Sequence, residues 1–291
     1  MRAAVVIAVL GTCVWAMAQD KATSQNTQAG QTQPGQTQTA PAPAAPAGKR
    51  PPQAKTQPEF NDYKAAMSLT DAANTEKAAD DFATKYPDSE LRVMLYKTAM
   101  QRYQQANNAD KMMEMAQKAL TYDPDDPEAL IGVAQVLAER TRDTDLDKDQ
   151  RLAEAKKDAE RALSTIDTDV PSSGYPPEQL AAYKGFLRSN AYAVLGAIAS
   201  DNKNWPDAET NLRKSIDAFP QQPDAVAVLR LAVALDMQNK FPEALKYANQ
   251  AVDLTKDHAD SPAGKAARAE QDRLTKLNSG TAPGQSTPTK N

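Results

Sequence analysis

The sequence is short of the residues that most chemistry needs. It has one cysteine and one histidine in 291 residues, too few parts for most His/Cys metal clusters and for most Ser-His or Cys-His nucleophile arrangements. Glycine is scarce at 11 residues, and neither phosphate-cradling pattern occurs, the G-x-x-x-x-G-K-[ST] loop or a Gly-rich strand-to-helix turn. There is no basic excess either. Lys and Arg number 34 against 38 Asp and Glu, for a formal charge of -4, so the phosphate neutralisation on which nucleic-acid affinity rests is missing. The longest apolar run, Ala3–Leu10, is far short of the roughly 20 residues of a membrane-spanning helix. These absences exclude a multispan membrane protein and argue against an enzyme and a duplex binder.

The two ends read differently from the middle. Residues 1–18 join Arg2, the apolar run and an Ala16-Met17-Ala18 cleavage pattern before Gln19, the three parts of a secretory signal peptide. A competing pattern, Leu10-Gly11-Thr12-Cys13, is similar to a bacterial lipobox, in which the cysteine is acylated and the protein stays on a membrane. Cleavage after Ala18 would leave the mature chain without cysteine, and so without a disulfide in an oxidising compartment. Residues 19–58 are a Gln/Thr/Pro/Ala-rich linker that contains no Val, Ile, Leu, Met, Phe, Trp or Tyr. Nothing there offsets the entropy of folding, and a flexible chain of that length spans about 35 Å. Residues 279–291 form a similar tail. Residues 1–57 carry Arg2, Lys21, Lys49, Arg50 and Lys55 against Asp20, and the tail carries Lys290. The part between is therefore more acidic than the whole, at about -9.

From residue 59 to 278 no stretch alternates with the period of two that marks strands, while apolar and small residues recur at three and four residues. Three turns superpose: Asn107-Asn108-Ala109, Lys203-Asn204-Trp205-Pro206 and Asn239-Lys240-Phe241-Pro242. Proline suits the first turn of a helix, and asparagine tolerates left-handed backbone angles. After each turn comes a helix with small or apolar residues at spacings of four and three: Met112, Ala116 and Ala119; Ala208, Leu212 and Ser215; Ala244, Ala248 and Ala251. Before each lies a partner helix, as in Tyr192, Leu195, Gly196 and Ala199, or Val228, Leu231, Ala232 and Leu235. Trp205 and Phe241 are 36 residues apart.

This pattern resembles the tetratricopeptide repeat (TPR), a helical hairpin of about 34 residues with the form W-x2-L-G-x2-Y, A-x3-F, P. Tyr192 to Pro220 keeps the Leu195-Gly196 pair, and an earlier unit ends in Ala79, Phe82 and Tyr86-Pro87. The resemblance implies an all-α solenoid of about five helix pairs, with residues 261–278 as a capping helix and about nine residues (141–149) inserted in the third unit. It also implies a non-catalytic scaffold or adaptor in a bacterial cell envelope, periplasmic or secreted, that binds a peptide or partner helix of another protein. Alternatively the chain is a lipid-anchored outer-membrane assembly factor that touches the membrane only through Cys13. One TPR binding mode clamps an acidic peptide with Lys and Asn residues, which Lys97 and Gln101 partly match, although Gly132 stands where the next Asn belongs. By spacing, Ile131, Gln135, Ala193, Ala197, Leu229 and Val233 point toward the groove. The competing expectation is that such a stripe is core, covered by the segment 176–187.

One stretch has the spacing of a metal site. Asp143, Asp145, Asp147, Asp149 and Glu154 match an EF-hand-like loop for Ca²⁺, in which alternate carboxylates wrap a hard cation. Lys148, however, holds the position of the turn glycine, and acidic residues suit a helix start with or without an ion. A calcium-regulated binding module is the alternative this loop suggests. His258 stands two residues before Asp260, a spacing that can orient an imidazole as a hydrolase would need. A solvated turn accounts for the pair more simply.

Overall fold

The structure is a computed structural model that describes residues 48–172 and 175–279. The signal peptide, Cys13, linker residues 19–47 and the tail from residue 280 lie outside the described residues. Within them the chain forms eleven α-helices and one 3-10 turn, with no strand. The helices pair as α1 (Gln57–Met67) with α2 (Ala72–Lys85), α3 (Arg92–Gln105) with α4 (Ala109–Tyr122), and α5 (Pro127–Arg140) with α6 (Lys148–Asp169). Then follow α7 (Pro177–Asp201) with α8 (Trp205–Ala218), α9 (Ala225–Asp236) with α10 (Phe241–Leu254), and α11 (Pro262–Asn278). The chain is thus an all-α, TPR-like solenoid of five hairpins and a capping helix.

Local chemistry sets the boundaries. Asp71, Asn108, Asp126, Asn204, Asp224 and Ser261 each stand at a helix N-cap and accept a backbone N–H of the first turn. Three reversals share one geometry. Asn107, Lys203 and Asn239 lie at φ 55, 57 and 60°, so each preceding helix ends on a left-handed residue. The next N–H returns to the carbonyl five residues back: Asn108 to Tyr103 (2.9 Å), Asn204 to Ala199 (2.8 Å) and Lys240 to Leu235 (3.0 Å). This is the Schellman closure, followed at once by a new N-cap. Lys203 is the strained member, because a Cβ crowds the left-handed region and asparagine relieves this by local hydrogen bonding. Lys203→Asn is expected to stabilise the fold by about 0.5 kcal/mol in chemical denaturation, with no change or a loss counting against this reading.

The small residues pack where their spacing places them. Ala116, Ala119, Ala208, Ala244, Ala248 and Ala251 are fully buried, as are Val228, Leu231, Ala232 and Leu235. At Gly196 an added Cβ would lie 2.6 Å from Leu212 Cγ and 3.4 Å from the Leu212 nitrogen, so α7 and α8 approach too closely for any side chain there. At the far end α11 buries Ala267 and Leu274, and its Arg273 pairs with Asp236 of α9 at 2.5 Å. Each first helix packs on the next unit's first helix, α1 on α3, α3 on α5, α5 on α7 and α7 on α9. The first helices therefore form the inner surface of the solenoid.

Two boundaries differ from the sequence expectation. The domain reaches back beyond residue 59. Helix α1 starts at Gln57, and residues 48–56 lie against the fold through charges that composition does not reveal: Lys49 on Asp123 and Asp169, and Arg50 on Glu90. The insertion of unit three is also shorter than expected, because Lys148 and Asp149 belong to α6.

Candidate functional site

The inner surface divides into two halves of different character. In the first half, Lys97 and Gln101 stand on α3 as their spacing requires, yet Lys97 is buried in ion pairs and only Gln101 stays exposed. Lys97 Nζ lies 2.9 Å from Asp126 Oδ2 and 2.9 Å from Glu128 Oε2, and Gln101 Nε2 donates to Glu128 Oε1 at 2.5 Å. Both carboxylates come from the start of α5, where a helix N-terminus favours them. The hydroxyl of Tyr183, from α7, also donates to Glu128 (2.8 Å). The Lys97 side chain is 14% exposed. The clamp expectation is thereby corrected: the fold itself supplies the carboxylates that a peptide would bring.

Electrostatics agree with a closed network. Burial pushes the Lys97 ammonium toward deprotonation, but the charges of Asp126 and Glu128 outweigh it and hold its pKa well above the usual range. Burial likewise pushes the Glu128 carboxyl up, and is outweighed by the Lys97 charge and the hydrogen bonds from Lys97, Gln101 and Tyr183, so its pKa lies below the ordinary value. Burial and the facing Glu128 carboxylate raise the Tyr183 phenol well above its usual value.

Ile131 is corrected in the same way. It is buried in a cluster with Leu130, Ala162, Ile166, Leu187 and Ala191. The cover is the long N-terminal extension of α7, whose Leu180, Tyr183 and Phe186 pack against that cluster. Phe186 in turn meets Phe219 edge-on at 5.8 Å. The segment 176–187 thus lies over the third unit and reaches the Lys97 network through Tyr183.

The second half is open. Ala197 is buried and small, and Ala193 on the same helix is partly exposed. On one side stand Gln135 and Glu139 of α5, joined by a 3.0 Å hydrogen bond. On the other stand Leu229, Arg230 and Val233 of α9, all partly exposed, while Val228, Leu231, Ala232 and Leu235 of the same helix are buried. One turn beyond Val233, Met237 is 51% exposed and extends the apolar strip. Glu139 faces water but is walled in by neighbouring units. Desolvation raises its pKa, and Asp224 adds to the rise against Gln135 and Arg230. The result is a shallow trough with a small-residue floor, one apolar wall and one polar wall. Gln135, Ala193, Leu229 and Val233 are partly exposed on α5, α7 and α9, whereas Ala197 is buried. Glu139, Arg230 and Met237 carried no sequence signal that set them apart from other surface residues.

The carboxylates of the acidic insertion are turned to separate partners in the structure. Asp143 accepts from Lys148 at 2.9 Å, and Asp145 accepts the backbone N–H of Arg142 at 2.8 Å and faces Arg151 at 3.7 Å. Asp149 and Glu154 both lie on α6, and five residues along a helix turn through about 140°, so they point away from each other. Among the described residues no three acidic, His or Cys side chains converge on a point that would hold a metal ion. Lys148, standing where glycine is needed, supplies the counter-charge itself. His258 closes the 3-10 turn Lys256–His258 and, like Asp260, is exposed; no hydrogen bond joins the two side chains.

No family model matches the sequence, and no curated protein matches it. Among solved structures, one similar chain is PilW, described as a widely conserved type IV pilus biogenesis factor. It shares 19% identity over 78% of this chain and 96% of its own, at a TM-score of 0.46. Another is Acl4, the assembly chaperone of RpL4, at 13% identity, 76% and 98% coverage and a TM-score of 0.37.

Proposed function

We propose that this protein is a non-catalytic adaptor that binds a peptide or amphipathic helix of another protein across the inner surface of its last units. The observation that carries this reading is the state of α9. Its core-facing residues are buried, yet Leu229 and Val233 stay partly exposed beside Ala193 and Met237, and an apolar strip with a polar edge suits an amphipathic segment. Val233→Glu and Met237→Glu place charge in the trough at side chains that belong to no buried cluster. Each is expected to abolish recovery of the native partner while the thermal midpoint stays within about 2 °C of wild type. Undiminished recovery with both variants folded would refute the site.

Export to a bacterial envelope rests on residues 1–18, and the polar linker that follows supports a domain held away from its point of attachment. Signal cleavage after Ala18 is the reading we favour; lipidation at Cys13, which would make the protein a membrane-anchored assembly factor, is the alternative. Intact mass of the native protein separates them: a chain starting at Gln19 establishes the first, and diacylglyceryl-Cys13 the second.

A further inference from the structure

Helix α6 ends without a basic residue in its last turn, although a cation there would be favoured by the helix dipole and would help satisfy the last carbonyls. Residues 48–50 supply both. The N–H of Lys49 donates to Thr168 O at 2.7 Å, and Lys49 Nζ lies 3.3 Å from Asp169 and 2.5 Å from Asp123. Gly48 approaches so closely that a Cβ would sit 2.9 Å from Val170 O. Arg50 then forks onto Glu90, to which the N–H of Gln53 also donates at 3.3 Å. The segment thus crosses the ends of units one, two and three, and caps a helix 120 positions away in sequence.

The same turn of α6 holds α7 in place. Both oxygens of Asp167 accept from Arg188 at 2.7 Å, Lys184 approaches Asp167 at 3.4 Å, and Ile166 packs in one cluster with Leu187. The first turn of α7 has no side-chain cap of its own at Pro176, so its early turns depend on what they rest against. Those turns cover the Leu130–Ile131 cluster of the third unit and carry Tyr183 to Glu128.

We propose that Gly48-Lys49-Arg50 is an electrostatic latch: by capping α6 it keeps the first turns of α7 seated, and breaking its ion pairs uncovers the inner surface of the third unit. This is independent of what binds in the open trough. The pairs are partly exposed, at 42 and 17% for Lys49 and Asp123, so salt weakens them. The test is hydrogen–deuterium exchange by mass spectrometry on the full chain, comparing wild type with Lys49→Glu/Arg50→Glu. Amides of residues 165–187 are expected to exchange at least tenfold faster in the variant, with α9 and α10 unchanged, and wild type is expected to shift the same way between 0.05 and 1 M NaCl. Unchanged exchange in 165–187 in both arms would overturn the latch. Equal acceleration in α9 and α10 would overturn it too, since the strap would then hold the whole fold rather than one segment.

Discussion

Lys97→Met is expected to lower stability by about 3–5 kcal/mol, because it leaves Asp126 and Glu128 buried without their cation. For a domain of this size that corresponds to a fall in thermal midpoint of roughly 10 °C. The pH dependence gives the sharper signature. In wild type the Glu128 pKa is held below its unfolded value, so its contribution is present above the unfolded carboxylate pKa and is lost as pH falls through the lower folded value. The Lys97 pKa is held above its unfolded value. That contribution is therefore present throughout the neutral range and is lost only as pH rises through the folded value. In the variant, burial acts on Glu128 unopposed by Lys97 and raises its pKa, so the variant regains stability as Glu128 takes up a proton. The gap between the two proteins should accordingly shrink between pH 7 and pH 4, as read by urea denaturation at each pH. A gap that stayed constant would mean that Lys97 acts by packing alone.

Gly196→Val is expected to cost about 3 kcal/mol, the upper part of the range for overpacking. A Cβ at this position already collides with Leu212 Cγ, and the nearby Leu212 nitrogen belongs to the α8 backbone and cannot turn aside. Leu212 is fully buried, so Leu212→Ala alone is also destabilising, by about 2–5 kcal/mol. The double variant should lose markedly less than the two single losses together, because the cavity made at 212 accepts the methyls added at 196. Strict additivity in denaturant titrations would show that the two side chains do not share the space between α7 and α8.

The fold was legible because its signals are local. The turn triplets at Asn107, Lys203 and Asn239, the prolines that open helices and the alanines spaced by three and four each report on a few neighbouring residues. The trough was half legible for the same reason, since spacing places Leu229 and Val233 on one face of α9. The rest depended on which element lies over which. An α3 lysine such as Lys97 points inward in either case, and only the arrival of Asp126, Glu128 and Tyr183 from two other helices decides whether it can clamp a ligand. Ile131 has the spacing of a groove residue and is buried because α7 runs on past its own unit. Lys49 and Arg50 sit in a segment whose composition resembles a spacer, and their carboxylate partners lie 40 to 120 positions away. In the acidic insertion, alternate aspartates fit a metal loop, but Lys148 and the early start of α6 turn them to other partners.

The central claim is that partners engage the inner surface of the last units. Site-specific photo-crosslinking in cells tests it most directly, with the reactive group placed at Leu229 or Val233 in the trough and at Gln117 or Lys156, exposed on second helices, as controls. One and the same partner adduct is expected from positions 229 and 233 and none from 117 or 156. Adducts from 117 or 156 with none from 229 and 233 would contradict it.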